Sequence, residues 1–327
     1  MYDLIATNAL IDGILYFVPY GTRCICAVDL NTWDVIKLKK IDDYNNYRWA
    51  VFYHDGKLIC CGLDNVYIYY FDLNLQYIGN VASRGMQASD AFFYENQIYF
   101  VPQYYSDNMY VFSFISCEFN VVETWGEGIK RRGSNGKIKK RLFLDDTIYI
   151  LADNREMIIC FELNTGKMST YYHSSGRKII DYCFWNNQLF IVYDDDPNSL
   201  YDSSNIKREE FDKDFKIRKV LVADRLLIVD SNIRQSILDE ENRIVWDKQE
   251  TSGPSFNNTY IFYGHKLILP PWQSNFFIEY DISTSECRLI AIDDSLMAIS
   301  KEEITMEQKN KFTLEKFLDY IEAISGN

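Results

Sequence analysis

A short apolar phrase of seven residues recurs seven times along this chain of 327 residues. In most copies a turn-forming residue opens the phrase, and three to five consecutive apolar residues follow. The copies occupy residues 13–19, 56–62, 96–102, 146–152, 187–193, 224–230 and 265–271. Their last residues run from 19 to 271, which gives a mean spacing of 42 residues. A period near 40 residues built from short apolar strands is typical of a β-propeller, in which each repeat forms one blade.

Each repeat also shows how its strands are arranged. A short apolar segment that usually ends in an aromatic residue precedes the phrase, as at residues 51–53, 91–94, 183–185 and 260–263, with 142–144 as an exception. Turn residues join this segment to the phrase, which is the chemistry of a β-hairpin. The phrase itself is almost continuously apolar, so we expect both of its faces to be covered by neighbouring blades.

A third strand ends about ten residues after the phrase in an apolar-acid-apolar triplet. The acids are Asp29, Asp72, Glu162 and Asp281, whereas repeats three, five and six lack an acid at that offset. Turn residues follow, so we interpret these acids as turn formers rather than catalysts. The sequence therefore predicts an all-β fold, a seven-bladed β-propeller of four-stranded antiparallel blades over residues 1–298.

The C-terminal tail, residues 299–327, has a different pattern. Ser300 and Glu303 fit a capping box, and further on one helical stripe is formed by Leu314, Phe317, Leu318, Ile321 and Ile324. This predicts a short C-terminal α-helix. A helix of about 12 residues is marginal alone in water. We therefore expect it to dock on the propeller rim or on a second copy or partner, which gives a monomer or a weak dimer.

Composition excludes several classes of function. The net charge of −13 disfavours nucleic acid and anionic lipid as partners, and no apolar run approaches the roughly 20 residues of a membrane span. Eight cysteines without a C-x-x-C pair favour buried, reduced thiols and a cytoplasmic location. Three histidines without a cluster indicate no catalytic triad, metal site or cofactor. We interpret the acidic residues 194–196, with Asn198 and Asp202, as an exposed loop rather than a calcium site.

The half-repeat that ends in Asn164-Thr165-Gly166-Lys167 resembles the repeats of kelch-type and quinoprotein-type propellers. The resemblance covers residues 5–295 and implies the propeller fold. The chain lacks the Gly-Gly pair that follows the second kelch strand and also the glycine-tryptophan docking motif of the quinoprotein repeat. The resemblance therefore implies no cofactor site.

In a propeller, the loops between second and third strands and the loops between blades emerge on one face, here called the loop face. Loops of this kind commonly carry function. Aromatic rings beside amide and guanidinium groups suit a saccharide-like ligand, because rings cover apolar faces while polar groups bind hydroxyls. The predicted ligand-binding residues are Tyr20, Arg48, Trp49, Arg84, Gln103, Tyr104, Trp272 and Gln273.

A basic run spans residues 130–141, where seven of twelve residues are Lys or Arg. Such a run could hold an anion through Arg131, Arg132 and Lys137. The alternative is a solvated loop that balances local acidic charge. Its glycine spacing does not match a nucleotide-binding P-loop.

The sequence thus favours a non-enzymatic binding or interaction propeller, with a saccharide-like small molecule or a protein bound at the loop face. One alternative is a carbohydrate-active enzyme, a glycosidase or lyase, that uses two carboxylates converging at the channel mouth. The sequence assigns no catalytic residue, because acids such as Asp90 and Glu95 can equally form turns. A structural scaffold is the third hypothesis.

Overall fold

The computed structural model describes residues 8–19, 23–43, 46, 48–83, 85–104, 107–125, 138–152, 154–223, 225–231, 234–239, 244–249, 255–256, 260–272 and 276–291. For residues 234–235, 244–249, 255–256, 271–272 and 276 only the backbone is described. The predicted C-terminal helix lies outside these residues. Within them, the chain contains no helix long and apolar enough to cross a membrane.

The chain forms a seven-bladed β-propeller of four-stranded antiparallel sheets, as the repeat predicts. Blade 1 contains β1 (Ala9–Ile11), β2 (Ile14–Phe17), β3 (Cys24–Asp29) and β4 (Val35–Lys40). Blade 2 contains β5 (Trp49–His54), β6 (Lys57–Gly62), β7 (Tyr67–Phe71) and β8 (Tyr77–Ala82). Blade 3 contains β9 (Asp90–Tyr94), β10 (Gln97–Val101), β11 (Met109–Ser113) and β12 (Glu118–Val122).

The later blades repeat this order. Blade 4 contains β13 (Lys140–Leu144), β14 (Thr147–Leu151), β15 (Met157–Glu162) and β16 (Lys167–His173). Blade 5 contains β17 (Ile179–Trp185), β18 (Gln188–Tyr193), β19 (Asp196–Asp202) and β20 (Lys207–Glu210). Blade 6 contains β21 (Ile217–Ala223), β22 (Leu226–Ser231), β23 (Arg234–Leu238) and β24 (Ile244–Gln249). Blade 7 contains β26 (Ile261–Tyr263), β27 (Lys266–Leu269), β29 (Phe276–Asp281) and β30 (Glu286–Ala291), and a separate pair joins β25 (Ser255–Phe256) to β28 (Pro271–Trp272).

The recurring phrase is the second strand of every blade, which confirms the prediction. These strands are buried on both faces, and all six residues of β22 are buried. Side chains from adjacent blades form shared cores, as where Tyr16 and Ile25 of blade 1 pack with Val51 and Leu58 of blade 2. Removing such apolar surface from water is the main force that holds the blades together.

The acids at the ends of third strands form turns, as predicted. Asp29 accepts a hydrogen bond from the backbone N–H of Asn31 at 2.8 Å, and Asp281 accepts one from Ser283 at 2.9 Å. The sequence missed a further case in blade 5, because Asp202 comes nine rather than ten residues after the phrase. Its carboxylate accepts from the backbone N–H of Ser204 at 2.9 Å. The acids recur at the ends of third strands because each one accepts backbone hydrogen bonds in the following turn.

The first and last blades share no strand among the described residues, because each four-stranded sheet comes from one continuous stretch of chain. The Trp33 indole N–H donates to Glu279 at 3.1 Å, and the Trp33 ring lies 5.3 Å from that of Phe277. The Tyr263 hydroxyl donates to Asn31 at 2.9 Å. A Cβ atom added to Gly13, which has φ +81°, would lie only 2.7 Å from this hydroxyl oxygen. Side-chain packing and two hydrogen bonds therefore join blades 7 and 1.

All eight cysteines are free thiols, and six of them are buried, as the sequence predicts for most. Burial raises the pKa of the Cys183 thiol to about 12. Burial also raises the pKa values of Cys60 and Cys61. Because the thiolate is the reactive form, these groups stay protonated and inert in the folded protein. Cys117, in the turn between β11 and β12, is exposed.

Candidate functional site

The described loops of the loop face are linked to one another by backbone hydrogen bonds. The N–H of Leu63 donates to the carbonyl of Arg48 at 2.9 Å, and the N–H of Ala88 donates to the carbonyl of Leu63 at 2.8 Å. One blade further on, the N–H of Ile138 donates to the carbonyl of Gln103 at 2.9 Å. In these three cases a loop between blades pairs with a loop inside an adjacent blade. Such pairing restrains the backbone of these described loops.

Gln103 and Tyr104 follow directly after β10 on this face. Both side chains are exposed, and 40% of Tyr104 is accessible to solvent. The backbone between β10 and β11 is further fixed where the N–H of Asp107 donates to the carbonyl of Tyr104 at 3.1 Å. The structure therefore presents an amide and a phenol side by side on a restrained loop.

Arg48 is held by its own loop. Its backbone N–H and its Nε donate to the two carboxylate oxygens of Asp64, at 2.9 and 2.7 Å, and its Nη2 donates to the carbonyl of Ala88 at 3.1 Å. The side chain stays 27% exposed. Arg48 thus joins blade 2 to the segment before blade 3, and its positive charge is paired with the Asp64 carboxylate.

Trp49 is placed differently from the prediction, which set it among exposed aromatic residues. Only 1% of Trp49 is accessible, and its ring packs 5.9 Å from that of Tyr69. As the first residue of β5 it points into the core shared by blades 1 and 2. Its ring is therefore unavailable to a ligand.

The side chains of the other predicted site residues are not among those that the structure describes. Tyr20, Arg84, Gln273 and the predicted anion-binding residues Arg131, Arg132 and Lys137 lie outside the described residues. For Trp272 only the backbone is described, and it pairs with Ser255 in the short β25–β28 ladder. That ladder joins a loop between blades to a loop within blade 7, as expected for loops of one face.

Sequence reasoning missed a polar cluster on the first strands of blades 4 and 5. The Lys140 ammonium contacts the Asp181 carboxylate at 2.7 Å, and it also donates to the carbonyls of Tyr182 and Val220 at 2.8 and 2.9 Å. These three acceptors match the three hydrogens of an ammonium group. Lys140 and Asp181 have side chains only 9% and 6% exposed. The second oxygen of Asp181 accepts from the Val220 N–H at 2.8 Å, so the cluster joins blades 4, 5 and 6.

Arg141 makes the corresponding link between blades 3 and 4. Its Nε contacts the Asp90 carboxylate at 3.1 Å, and its Nη1 donates to the Ser89 hydroxyl at 2.6 Å. The Ser89 hydroxyl in turn lies 3.0 Å from the carbonyl of Pro102. Asp90 is therefore neutralised by a cation from the next blade. The last two residues of the basic run join blades, and only the earlier part remains a candidate for anion binding.

Tyr182 lies in the same cluster and is fully buried. Its burial, followed by the nearby Asp181 carboxylate, raises the pKa of this phenol well above its usual value. Its hydroxyl has no hydrogen-bond partner in the described part of the chain. The phenol stays neutral and serves as packing, with the Lys140 ammonium 5.3 Å from the ring centre.

The acidic residues 194–196 are engaged by basic side chains. The Arg177 guanidinium donates to Asp195 at 2.8 to 3.1 Å and lies 3.7 Å from the centre of the Tyr193 ring. The hydrogen bond from Arg177 holds the pKa of Asp195 below its usual range. Lys207 contacts Asp196 at 3.0 Å. Among the described residues no group of three metal-ligating side chains converges.

The comparisons with known proteins show the fold and nothing finer. No family model and no curated protein matches the chain. Among solved structures, Kluyveromyces lactis Hsv2 is 10% identical, with a TM-score of 0.57 over 90% of this chain and 100% of that chain. The computationally designed Ika8 protein is 12% identical, with a TM-score of 0.57 over 88% of this chain and 86% of that chain. BamB from Moraxella catarrhalis is 13% identical, with a TM-score of 0.47 over 81% of this chain and 79% of that chain. At these identities the likeness is one of architecture, and propellers host many functions.

Proposed function

We propose that this chain is a non-enzymatic binding propeller that holds a saccharide-like ligand or a protein segment at its loop face. The observation that carries the proposal is that the described acids on the first strands of blades 3 and 5 are ion-paired between blades. Asp90 and Asp181 are each paired with a cation from a neighbouring blade. A glycosidase of the usual kind needs one protonated and one free carboxyl beside the substrate, and acids committed to joining blades do not supply them.

Gln103 and Tyr104 supply the binding chemistry in this proposal. The Tyr104 ring is exposed for stacking, and the Gln103 amide offers both a donor and an acceptor for hydroxyl groups. Arg48, held by Asp64, contributes a guanidinium on the same face. Restrained loops reduce the entropy lost when a ligand binds.

Two further parts of the proposal rest on sequence. Descent from kelch-type or quinoprotein-type repeats is supported by the run Asn164-Thr165-Gly166-Lys167 after a third strand. We place the protein in the cytoplasm because six buried free thiols suit a reducing compartment.

The proposal is tested by thermal-shift screening against neutral mono- and disaccharides, with wild-type protein and two variants. Tyr104→Ala should remove the shift. Tyr53→Ala is the matched control, because Tyr53 is 45% exposed but lies next to the β5–β6 turn on the opposite face. A flat response to the whole panel argues against a saccharide and leaves a protein segment as the ligand to test. Equal shifts in both variants argue against the loop face.

A further inference from the structure

A cleft opens between the outer strands of blades 1 and 2. Its volume is about 240 Å³. The fourth strand of blade 1 forms one wall, and β7 and β8 of blade 2 form the floor and the other wall. The lining side chains used here are Lys39, Asp42, Tyr69, Phe71, Tyr77 and Asn80. We call this the outer cleft.

The floor of the outer cleft is formed by two buried aromatic residues. Tyr69 and Phe71 are 8% and 2% exposed and belong to the core between the two blades. The Tyr69 hydroxyl donates to the buried Asp43 carboxylate at 3.0 Å, so its polar end is already satisfied. The cleft is thus an outward continuation of the apolar interface between blades.

The rim on the blade 2 side is a tyrosine with an amide beside it. Tyr77 is 53% exposed, and its ring lies 5.9 Å from Phe71 in an edge-to-face arrangement. The Asn80 amide donates to the Tyr77 hydroxyl at 2.8 Å. This contact fixes the amide next to the ring and leaves its carbonyl oxygen and second N–H for a ligand.

The rim on the blade 1 side is basic. β4 contains Lys37, Lys39 and Lys40 and no acid. Alternate residues of a strand share a face, and the Lys37 ammonium reaches the carbonyl of Leu73 in blade 2 at 3.0 Å. Lys39 therefore faces blade 2 as well.

The wall opposite these lysines carries no charge, because β7 and β8 contain no acidic or basic residue. Within the described part of the chain, Lys39 has no ion-pairing carboxylate. By contrast, Lys140, Lys178 and Lys207 each contact a carboxylate. Asp42 is the acid that lines the cleft. The cleft thus presents one ammonium group, that of Lys39, with no ion-pairing carboxylate in the described part of the chain, and this favours an anionic group on the ligand at that point.

We propose that the outer cleft binds a single-ring saccharide that carries one anionic group, either a phosphate or a carboxylate. The sugar ring lies against Tyr77 and Phe71, the Asn80 amide bonds its hydroxyls, and the Lys39 ammonium bonds the anion. Size supports one ring, because clefts for drug-sized ligands usually have about 300–1,000 Å³. Asp42 belongs to the loop between blades 1 and 2, but the side chains proposed to bind the ligand lie on β4, β7 and β8. The proposal therefore does not depend on the function proposed for Gln103 and Tyr104.

Isothermal titration calorimetry on the full chain tests this site with four probes: glucose 6-phosphate, glucuronate, glucose and inorganic phosphate. We expect binding of at least one anionic sugar, stronger than that of glucose or phosphate alone. Lys39→Met keeps the side-chain length but removes the charge, and it should weaken binding about tenfold or more, because hydrogen bonds to charged groups are the strong ones. Lys39→Arg should restore much of the affinity.

Lys57→Met is the matched control, because Lys57 is an exposed lysine at the start of β6 that does not line the cleft. It should bind as the wild type does. Unchanged affinity in Lys39→Met, absence of binding by both anionic sugars, or equal affinity for inorganic phosphate and glucose 6-phosphate would each overturn the proposal. Tyr104→Ala separates the two sites: loss of anionic-sugar binding in that variant, with Lys39→Met unaffected, assigns the ligand to the loop face instead.

Discussion

Removing the Lys140 ammonium should be among the most destabilising single changes to charge in this protein. Two unit charges 2.7 Å apart attract by about 6 kcal/mol at an effective dielectric constant of about 20. Desolvation of both ions offsets most of this in the wild type. In Lys140→Met the Asp181 carboxylate remains buried without its cation, and two backbone carbonyls lose a donor. We expect a loss of about 3–5 kcal/mol in the free energy of unfolding.

Urea unfolding measures this loss, followed by both tryptophan fluorescence and circular dichroism so that the two transitions can be compared. The control is Lys178→Met. Lys178 contacts Glu156 at 2.5 Å, but its side chain is 46% exposed, and solvent screens such exposed pairs so that they contribute little to stability.

A double variant separates ion pairing from general damage to the fold. In Asp181→Asn the uncharged amide oxygen can still accept the Val220 N–H. Combined with Lys140→Met, it leaves no unpaired charge, so the double variant should be more stable than the sum of the two single losses predicts. A loss in Lys140→Met no larger than in Lys178→Met, or additive losses in the double variant, would refute the account of the cluster.

Three other measurements test further features. Gly13→Ala should lower the free energy of unfolding by about 1–3 kcal/mol more than Gly56→Ala does, as measured by urea unfolding of both variants. Both glycines have positive φ, but only at Gly13 would the added Cβ atom meet a side chain. With Ellman's reagent, Cys117 should react rapidly, and the six buried thiols only as the protein unfolds; several fast thiols per native chain would contradict their burial. The folded-state pKa of Asp195 is lowered, so its pairing with Arg177 stabilises the fold above the unfolded pKa and is lost as pH falls through the folded value. The difference in melting temperature between wild type and Arg177→Met should therefore narrow below about pH 4, and a difference that stays constant would contradict this pairing.

The repeat made most of the fold predictable, because strand identity depends on local pattern. The second strands are apolar on both faces, and turn acids such as Asp29 lie at a fixed offset. These features depend on the local sequence and on the backbone geometry of a single blade, and not on contacts between distant residues. The prediction of seven four-stranded blades was therefore confirmed.

The candidate site was harder to predict because it depends on contacts between blades. Trp49 looks like a loop aromatic in the sequence, yet as the first residue of β5 it turns into the core. Lys140 and Arg141 look like the end of a basic loop, yet they begin β13 and pair with acids of blades 5 and 3. The sequence signal for this placement was that the basic run continues directly into an apolar strand segment. The outer cleft is lined by residues of β4 and β8 that are about 40 positions apart in the sequence. No local sequence pattern predicts that these two strands lie close together.

The seam between blades 7 and 1 has a consequence for how such a molecule can change over evolutionary time. Among the described strands, every blade is one contiguous segment, and none is exchanged between the two ends of the ring. Duplication or deletion of one repeat in the gene would leave every strand pairing within the other blades intact. Only the face-to-face fit and the contacts around Trp33 and Tyr263 would need to be rebuilt. Modular inheritance of this kind allows a repeat to diverge in its loops, as the unequal spacing of the phrases indicates, while the rest of the ring keeps its packing.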